Sequence, residues 1–346
     1  MKIKLPLKSN TQFVLLGSGY SLCKISDLII ENGFKKPIIV THSKKYHKRD
    51  NRILEKFGQH IDIFSYAKKK KLIIYQIDNV NDQKLISKLK SKKVNIAFSK
   101  GCRSIIKEEF LDSFENLVFN IHPSILPKER GAATFSWRIL NNEKFVAATI
   151  HQMDKGIDSG PIVLQKKIIV KKKDMIPLDY DILTSDLYQE IFKKFLKLFD
   201  SRKNILLKKQ NEKNSTYLPR LYTEINGAIN FDWSNKEIER FVRAFSYPYP
   251  GAFTFVKKQK ISILECNIEK INKKFHSFCS GRVNKIYDNG TVRIITKDGY
   301  LRINKLLINE KICKPSEIIK INDVLYTPKN ILDDSRKKTI QVKDMM

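Results

Sequence analysis

Cysteine is scarce in this chain and has no pattern. The five cysteines are odd in number and none forms a Cys-x-x-Cys pair, so neither a disulfide framework nor a metal site is predicted. Long apolar runs are absent as well, and none reaches the length of a membrane span. The run FVLLG near the basic N-terminus is too short for a signal peptide. We therefore expect a cytoplasmic protein with no membrane partner and no metal.

Negative charge is also in short supply. The chain has 36 Asp plus Glu against 66 Lys plus Arg, which leaves a net charge of +30. A surplus of this size attracts nucleic acid, an anionic membrane surface or phosphorylated substrates. However, the lysines occur along the whole length among Ile and Asn, as a compositional bias of a whole proteome would also produce. The charge alone leaves a nucleic-acid partner and a purely compositional origin both open.

The residues that are present can build a large core. Of the 346 residues 42% are hydrophobic, including 20 Phe and 13 Tyr, and this length favours two domains. In the first half, short apolar runs alternate with helix-like segments, which predicts a mostly parallel sheet with helices on both faces. The predicted strands are 12–19, 36–42, 70–77, 94–101, 116–122, 145–153 and 161–170. An amphipathic helix is predicted over 179–200.

The pattern changes after the first 205 residues. The polar stretch Leu206–Tyr217 predicts a linker, and Ser234–Ser246 predicts a helix with a capping box at its start. Short strands with an Asn-Gly turn at 289–290 and an Asp-Gly turn at 298–299 predict a small β-barrel. The tail after Thr327 is polar, and we expect it to be loose. The predicted division is an α/β domain, a linker, and a β domain with its tail, at residues 1–205, 206–222 and 223–346.

Three predicted strands end in polar groups, and the carboxyl ends of parallel strands are where such sheets bind ligands. One end is Ser99–Arg103, the second holds Asn120 and His122, and the third holds Asp158. Period-2 alternation places Asn120 and His122 on one face of their strand. An amide, an imidazole and a carboxylate in one cleft suit acyl transfer, since they can stabilise an oxyanion and move a proton. No serine elbow or cysteine nucleophile is evident, which favours direct attack by a substrate amine.

Each of these residues also has a purely structural interpretation. Asn120 could cap a turn, His122 could be a satisfied loop histidine, and Asp158 precedes Ser-Gly-Pro as in a tight turn. Cys102 could be a packed thiol. The Gly-Ser-Gly at Gly17–Gly19 is a weak dinucleotide signal, because the full glycine pattern is missing. Spacing alone does not decide between these interpretations.

Two motifs together resemble the folate-dependent formyltransferases. FNIHPSILPKERGAA at 119–133 is similar to the family's first signature, and ATIHQMDKGIDSGPIV at 148–163 is similar to its second. The segment from LPRL at 218–221 to about residue 254 resembles the domain join of methionyl-tRNA and nucleotide-sugar formyltransferases. The resemblance covers roughly residues 12–325. It implies a Rossmann-like domain, a smaller OB-like C-terminal barrel, and formyl transfer from N10-formyltetrahydrofolate to a primary amine.

The resemblance also implies roles for individual residues. Asn120, His122 and Asp158 match the family's catalytic trio, in which Asn and His stabilise the oxyanion. His, aligned by Asp, takes the amine proton, and Asp or a water it holds serves N10. Arg130 either supports the site or forms an ordinary loop-anchoring ion pair. The matched pterin-binding positions are Lys100, Gly101, Cys102, Arg103, Ser104, Ile105, Met153 and Asp154, and the matched substrate-side positions are Ser124, Arg130 and Trp137.

The acceptor is where this sequence departs from the tRNA-acting relatives. Residues 41–58 are basic, but they lack the Gly/Pro character of the tRNA enzymes' insertion and are partly helix-like. Pro123 stands where those enzymes usually have Gly, and Trp137 where sugar formyltransferases tend to have Trp. These departures favour a small amine such as a nucleotide-linked aminosugar. The net charge and the tRNA-type C-terminal domain favour charged initiator tRNA instead, and a non-catalytic binding relative is a third hypothesis. The barrel could be a homodimer interface or an RNA platform.

Overall fold

The first half of the chain forms one seven-stranded sheet. The computed structural model describes residues 1–54, 57, 61–200, 204–269 and 273–340. The strands of this sheet are β1 (Phe13–Gly17), β2 (Ile38–Thr41), β3 (Ile74–Gln76), β4 (Ile96–Lys100), β5 (Val118–His122), β6 (Phe145–Gln152) and β7 (Ile162–Ile169). Their order is β3-β2-β1-β4-β5-β6-β7; the first five run parallel and the last two pair antiparallel. The mostly parallel sheet is therefore confirmed.

Helices cover both faces of this sheet. They are α1 (Tyr20–Glu31), α2 (Lys44–Leu54), α3 (Ile63–Lys70), α4 (Gln83–Ser91), α5 (Glu108–Ser113), α6 (Thr134–Leu140) and α7 (Pro177–Lys197). The alternation of β1 divides its side chains between two cores. Phe13 and Leu15 pack with α1 and α7, whereas Val14 and Leu16 pack with α4 and α5. The predicted helix at 179–200 begins two residues earlier, with Pro177 in its first turn.

Within its described residues, the second half contains an antiparallel sheet and four α-helices. The helices are α8 (Thr223–Asn226), α9 (Asn235–Ala244), α10 (Pro315–Ile318) and α11 (Lys329–Lys337). The strands are β8 (Ala252–Val256), β9 (Gln259–Glu269), β10 (Val283–Ile286), β11 (Val292–Thr296), β12 (Gly299–Ile308) and β13 (Lys311–Cys313). They follow the order β8-β9-β12-β11-β10, with β13 on β12. Helix α9 has the predicted capping box, in which the Ser234 hydroxyl and the Glu237 carboxylate each bind the other's backbone N–H.

Both predicted hairpin turns are present in this sheet. The turn at 289–290 joins β10 to β11 and the turn at 298–299 joins β11 to β12. The two edges of the sheet each meet the segment 324–326 through one isolated bridge, Phe255 with Tyr326 and Arg282 with Val324. The antiparallel sheet is therefore confirmed, and its closure into a complete barrel stays a prediction.

We expected the tail after Thr327 to be loose, but this prediction is wrong for most of it. Residues Lys329–Lys337 form helix α11, whose Ser335 carbonyl accepts a 2.8 Å hydrogen bond from the Asn226 amide. Pro328 stands at the N-cap, and Ile331 is half-buried, so the helix has a start signal and an apolar contact that its polar composition hides. The last six residues, 341–346, lie outside the described part of the chain. No helix among the described residues is both long enough and apolar enough to cross a bilayer.

The predicted linker is packed against the first domain. Its residues Tyr217–Leu218 pair in parallel with Arg130–Gly131, and Lys208 forms a bridge with Ile162. The two halves also share a continuous apolar core and are joined directly where the Ser136 hydroxyl donates to the Ala244 carbonyl at 2.8 Å. The boundaries at 205 and 222 stay predictions. The position of the linker, however, brings it to the polar edge of the first sheet.

Candidate active site

The three residues of the predicted trio meet at one edge of the first sheet. Asn120 and His122 lie on β5, and Asp158 lies in the loop that follows its antiparallel neighbour β6. The Asp158 carboxylate reaches both: Oδ2 is 3.4 Å from His122 Nδ1, and Oδ1 is 3.3 Å from the Asn120 amide nitrogen. His122 is only 4% exposed, and the Asp158 side chain is 12% exposed. The structure thus brings the three predicted side chains together, with Asp158 in contact with both of the others.

The loop that carries Asp158 depends on its glycines and on backbone strain. Asp158 has a φ of 52°, a left-handed conformation that non-glycine residues rarely adopt and that clusters at functional sites. A Cβ on Gly160 would lie 1.9 Å from the Gln152 carbonyl oxygen, so only glycine allows the loop to close on β6. The Gly131 N–H donates to Asp158 Oδ2 at 3.0 Å. Asp158 is therefore both a turn residue and a member of the site.

The contacts of His122 indicate which of its nitrogens carries the proton. Nε2 lies 2.7 Å from the Glu129 carbonyl oxygen, and because a carbonyl only accepts, we assign the proton of the neutral ring to Nε2. Nδ1 is then a lone pair that faces Asp158 Oδ2. The buried Arg138 guanidinium binds the Glu129 carboxylate and, at 2.9 Å, the Pro123 carbonyl, and so holds the loop that orients the ring. Sequence analysis missed Arg138, since no motif marks it.

Burial and the neighbouring polar and charged groups shift the pKa values of His122 and Asp158 in opposite directions. Burial lowers the pKa of His122 below its usual value, against the opposing effects of the Asp158 carboxylate and the Glu129 carbonyl. Burial alone would raise the pKa of Asp158, but the charge that the neighbouring His122 ring carries when protonated and the hydrogen bond from the Gly131 N–H hold that pKa well below its usual range. At neutral pH the site therefore presents an ionised carboxylate beside a neutral imidazole that can accept a proton.

A second histidine, which the sequence analysis did not single out, also faces the trio. His151 lies directly opposite Asn120 in the β5–β6 register and is 1% exposed. Its Nε2 is 3.3 Å from the Asn120 amide nitrogen and 3.5 Å from Asp158 Oδ1. The antiparallel register that pairs these residues is not visible in the order of the sequence.

The linker contributes a clamp on the Asp158 loop. The Gln210 amide donates to the carbonyls of Asp158 and Gly160 at 2.8 and 2.7 Å. Its oxygen accepts from the Arg130 guanidinium, which also forms a bidentate ion pair with Glu212. Arg130 is thus an anchoring ion pair and, through Gln210, a support of the loop. Its predicted contact with substrate stays a prediction.

The other two predicted substrate-side residues make structural contacts. Ser124 is fully buried and its hydroxyl donates to the Lys128 carbonyl at 2.8 Å. The Trp137 indole donates to the Pro219 carbonyl at 2.8 Å, which ties α6 to the end of the linker. Neither residue lines either of the two cavities described next. Both stay predictions as substrate contacts.

Two cavities are lined by segments that neighbour the trio in the fold, the end of β4 and the loop that carries Asp158, although none of the three trio residues lines either cavity. The first, of about 320 Å³, is lined by residues 105–109 and by Lys155 of the Asp158 loop. Ile105 and Ile157, at 75% and 51% exposed, are apolar side chains turned to solvent in the segments that meet here. Among the predicted cofactor residues, only Ile105 lines this cavity.

Three other residues that were predicted to bind the cofactor, Ser104, Met153 and Asp154, line neither cavity and make structural contacts instead. Ser104 donates its hydroxyl to the Asp78 carbonyl at 2.7 Å, Met153 packs with Cys102 against an apolar core, and Asp154 closes a local turn by accepting from Gly156 N–H and Ser159. Burial raises the pKa of the Cys102 thiol to about 11, as expected for a packed thiol. Their contact with the cofactor stays a prediction.

The second cavity, of about 330 Å³, is lined mainly by polar and cationic groups. Lys100, Gly101, Cys102 and Arg103 form one wall, and Arg220 of the domain join and Asp181 form another. Burial lowers the pKa of Lys100, against the opposing charge of Asp181. The turn Ser18–Ser21 and the first residues of α1 complete the wall, and backbone N–H groups at a helix N-terminus favour anions.

Two structural features shape this second cavity. Gly17 brings the β1–α1 turn against β4, because a Cβ there would lie 2.1 Å from the Lys100 carbonyl oxygen. Helix α2, in the basic segment 41–58, contributes His47 and Leu54 to the lining. This confirms that the segment is partly helical; its residues 55, 56 and 58 lie outside the described part of the chain.

A metal centre is not evident at either cavity. Within the ranges that the structure describes, no group of three or more His, Cys, Asp or Glu side chains is arranged to hold a metal ion.

Comparison with known sequences identifies two regions of the chain. Residues 11–178 match the family described as formyl transferase, and residues 222–322 match the formyl transferase C-terminal domain. The chain is 30% identical over 304 residues to methionyl-tRNA formyltransferase of Thermodesulfovibrio yellowstonii, with 85% of this chain and 92% of that protein aligned. It is also 30% identical over 315 residues to bifunctional polymyxin resistance protein ArnA of Wigglesworthia glossinidia brevipalpis, which covers 88% of this chain and 41% of the relative.

Solved structures share the architecture. The sugar 3N-formyl transferase WlaRD, solved in the presence of dTDP and 5-N-formyl-THF, superposes with a TM-score of 0.60 at 23% identity and covers 85% of this chain and 96% of its own. The N-formyltransferase of Helicobacter canadensis, in complex with folinic acid and dTDP-3-aminofucose, superposes with a TM-score of 0.62 at 22% identity, with coverages of 85% and 98%. At these identities the likeness concerns the fold.

Proposed function

The chain belongs to the formyl transferase family, and we propose that it transfers the formyl group of N10-formyltetrahydrofolate to the primary amine of a nucleotide-linked aminosugar. The observation that carries this proposal is the contact of the Asp158 carboxylate with both Asn120 and His122 at the polar edge of the sheet. That arrangement supplies an oxyanion donor and a proton acceptor side by side. Burial of an ionised carboxylate against an imidazole is costly. Turn formation in a non-catalytic relative would not require this cost, so it explains the arrangement poorly.

Direct amine attack fits these groups. The acceptor nitrogen bonds to the formyl carbon and the carbonyl oxygen becomes an oxyanion, which the Asn120 amide stabilises. The amine proton passes to His122 Nδ1, where Asp158 shares and stabilises it. The proton then goes to N10 as the N10–carbon bond breaks, which leaves tetrahydrofolate and a formamide. We assign His122 to proton transfer and not to the oxyanion, because its Nε2–H is held by the Glu129 carbonyl.

The folate is assigned to the first cavity. Its wall at residues 105–109 includes the exposed apolar side chain of Ile105, which suits the face of a flat heterocycle. Lys155 lines the same cavity and belongs to the loop that carries Asp158, so a ring bound there would contact that loop. The related proteins solved with 5-N-formyl-THF and folinic acid support this class of co-substrate.

The acceptor is assigned to the second cavity. Lys100, Arg103 and Arg220 suit the phosphates of a nucleotide diphosphate. A small acceptor is favoured over tRNA because α2, from the basic segment expected to grip tRNA in such an enzyme, contributes His47 and Leu54 to the wall of this pocket. The two solved relatives whose ligands include dTDP or a dTDP-aminosugar support the same class.

Charged initiator tRNA is the second candidate acceptor. It is favoured by the 30% identity to a methionyl-tRNA formyltransferase over 92% of that protein and by the net charge of +30. A phosphate-rich acceptor end would also be attracted by the cationic lining of the second cavity.

The acceptor can be tested directly with the purified protein. N10-formyltetrahydrofolate is supplied with a panel of dTDP- and UDP-linked 3-amino and 4-amino sugars, and in parallel with charged initiator tRNA. We expect tetrahydrofolate release and a formamide product, identified by mass spectrometry, with at least one amino-nucleotide sugar. His122→Ala is the matched control and should lower the rate by about 100-fold or more. Product with tRNA alone would establish the second candidate, and no product with any amine would overturn both.

A further inference from the structure

His151 is the one buried imidazole that faces Asn120 among the described residues, and the mechanism above does not use it. It is 1% exposed, on β6, directly across the strand pair from Asn120. We propose that His151 is a positioning residue for the oxyanion donor: in its neutral form with the proton on Nδ1, it accepts a hydrogen bond from the Asn120 amide. The proposal rests on the proposed function for its kinetic consequence, but not for its geometry.

The backbone around His151 determines its tautomer. Nδ1 lies 3.1 Å from the carbonyl oxygen of Gln152, and since that oxygen can only accept, Nδ1 must carry a proton. In the neutral ring Nε2 is then a lone pair. The nearest donor to it is the Asn120 amide nitrogen at 3.3 Å. The opposite tautomer would donate from Nε2 to Asp158 Oδ1 at 3.5 Å, and would leave two lone pairs opposed at the Gln152 carbonyl.

Two acceptors therefore hold the two amide protons of Asn120. One is His151 Nε2 on β6, and the other is Asp158 Oδ1 in the following loop, each at 3.3 Å. With both in place the amide plane is fixed and its oxygen cannot exchange places with its nitrogen. Both bonds are longer than the usual 2.9–3.0 Å, so either proton can be shared with a formyl oxygen in a three-centre bond. Preorganisation of this kind is what an oxyanion donor requires.

Kinetics of paired variants test the role. His151→Leu removes the acceptor, and we expect kcat to fall about 10- to 100-fold with both KM values within about threefold, as for an interaction made in the transition state. His151→Gln keeps an acceptor oxygen and should recover most of kcat. In an Asn120→Ala background His151→Leu should add less than about threefold, because the group it positions is gone. His276→Gln, at an exposed histidine of the second domain, is the control and should leave kcat unchanged.

Several outcomes would overturn the proposal. One is a His151→Leu enzyme that keeps kcat within twofold of the unaltered protein. Another is an equal loss from this substitution with and without Asn120, which would mark a merely structural role. If the unaltered protein transfers no formyl group, the proposed function fails, and the geometry is then tested by itself.

That separate test is nitrogen-15 NMR of the imidazoles of the full chain, with the His151 signal assigned by its loss in His151→Gln. We expect the neutral Nδ1–H tautomer for His151, and a change in its Nε2 shift in Asn120→Ala. A neutral Nε2–H tautomer would overturn the proposal whatever the kinetics, because the ring would then donate to Asp158 and could not accept from Asn120.

Discussion

At the scale of single residues, the site is organised around one carboxylate. Asp158 accepts from Gly131 N–H, faces Nδ1 of His122 and receives one proton of the Asn120 amide. Because the Glu129 carbonyl occupies Nε2 of His122, the ring has one place left for a proton, and that place lies against Asp158. In the proposed mechanism the pair therefore acts as a single proton acceptor whose charge is held at the reacting centre.

This arrangement predicts the acid limb of the pH profile. Burial lowers the pKa of His122, so the imidazole stays neutral and active as pH falls through the ordinary histidine range near 6.5, and kcat/KM should decline only below it. Asp158 stays ionised throughout, because its pKa is held below its usual range. The measurement is kcat/KM between about pH 5 and pH 9 with a saturating co-substrate.

Replacement of Asp158 tests the direction in which this carboxylate shifts the pKa of His122. The Asp158 carboxylate raises the pKa of His122, so Asp158→Asn should move the acid limb to still lower pH while it lowers the plateau. An acid limb above about pH 7 in the unaltered protein would contradict the assignment of a neutral, burial-depressed His122.

At the scale of elements, the linker supports the proposed active site. Its residue Gln210 is 5% exposed and bonds to two carbonyls of the Asp158 loop, while Glu212 anchors Arg130. Arg130–Gly131 is in turn paired with Tyr217–Leu218. A stretch that is polar in sequence is thus ordered because its polar groups are the partners of a strained loop.

We expect Gln210→Ala to weaken catalysis and stability together. Two buried carbonyls and the Arg130 guanidinium would lose a partner, which corresponds to about 1–3 kcal/mol of unfolding free energy. The Asp158 loop would lose its clamp, and kcat should fall by about tenfold, as when a reacting group is misplaced. Denaturant unfolding and steady-state kinetics measure the two effects. Lys209→Ala, at the exposed neighbouring position, should change neither, and an unaltered kcat in Gln210→Ala would refute the clamp.

At the scale of the whole molecule, positive charge is spread widely but converges at one cavity. Lys100, Arg103 and Arg220 come from two different parts of the chain, the end of β4 and the join between the domains. The C-terminal sheet carries its own cationic and aromatic groups, such as Arg302 with its guanidinium 3.9 Å from the ring centre of Tyr287. A small acceptor would be bound by the cavity alone, whereas a macromolecular acceptor would also contact the cationic surface of the C-terminal sheet.

Alanine substitutions at the two surfaces distinguish a nucleotide-linked aminosugar from tRNA as the acceptor. For a nucleotide-linked aminosugar, Arg220→Ala should raise the acceptor KM by about tenfold with the folate KM unchanged, since one phosphate contact corresponds to about 1.4 kcal/mol. Arg302→Ala should leave both KM values unchanged. Steady-state kinetics at two salt concentrations provide the measurement. A large effect of Arg302→Ala with a steep salt dependence would indicate a nucleic-acid acceptor instead.

The sequence by itself determined the seven strands of the first sheet, the long helix α7, both hairpin turns, the capped helix α9 and the types of the three central side chains. These features depend on local signals: period-2 and period-3.6 patterns, turn residues and short motifs act over a few positions. Asn120 and His122 are two residues apart on one strand, so their shared face follows from strand geometry alone.

Only the tertiary structure decided which distant groups complete the site. His151 reaches Asn120 across 31 positions through an antiparallel register, and Gln210 reaches Asp158 across 52 positions through a segment that looked like a linker. Packing also placed residues 100–103 at one cavity and Ile105 at the other, and it ordered the tail as α11. Strand register and burial depend on contacts between parts of the chain that carry no pattern in common, so no local signal encodes them.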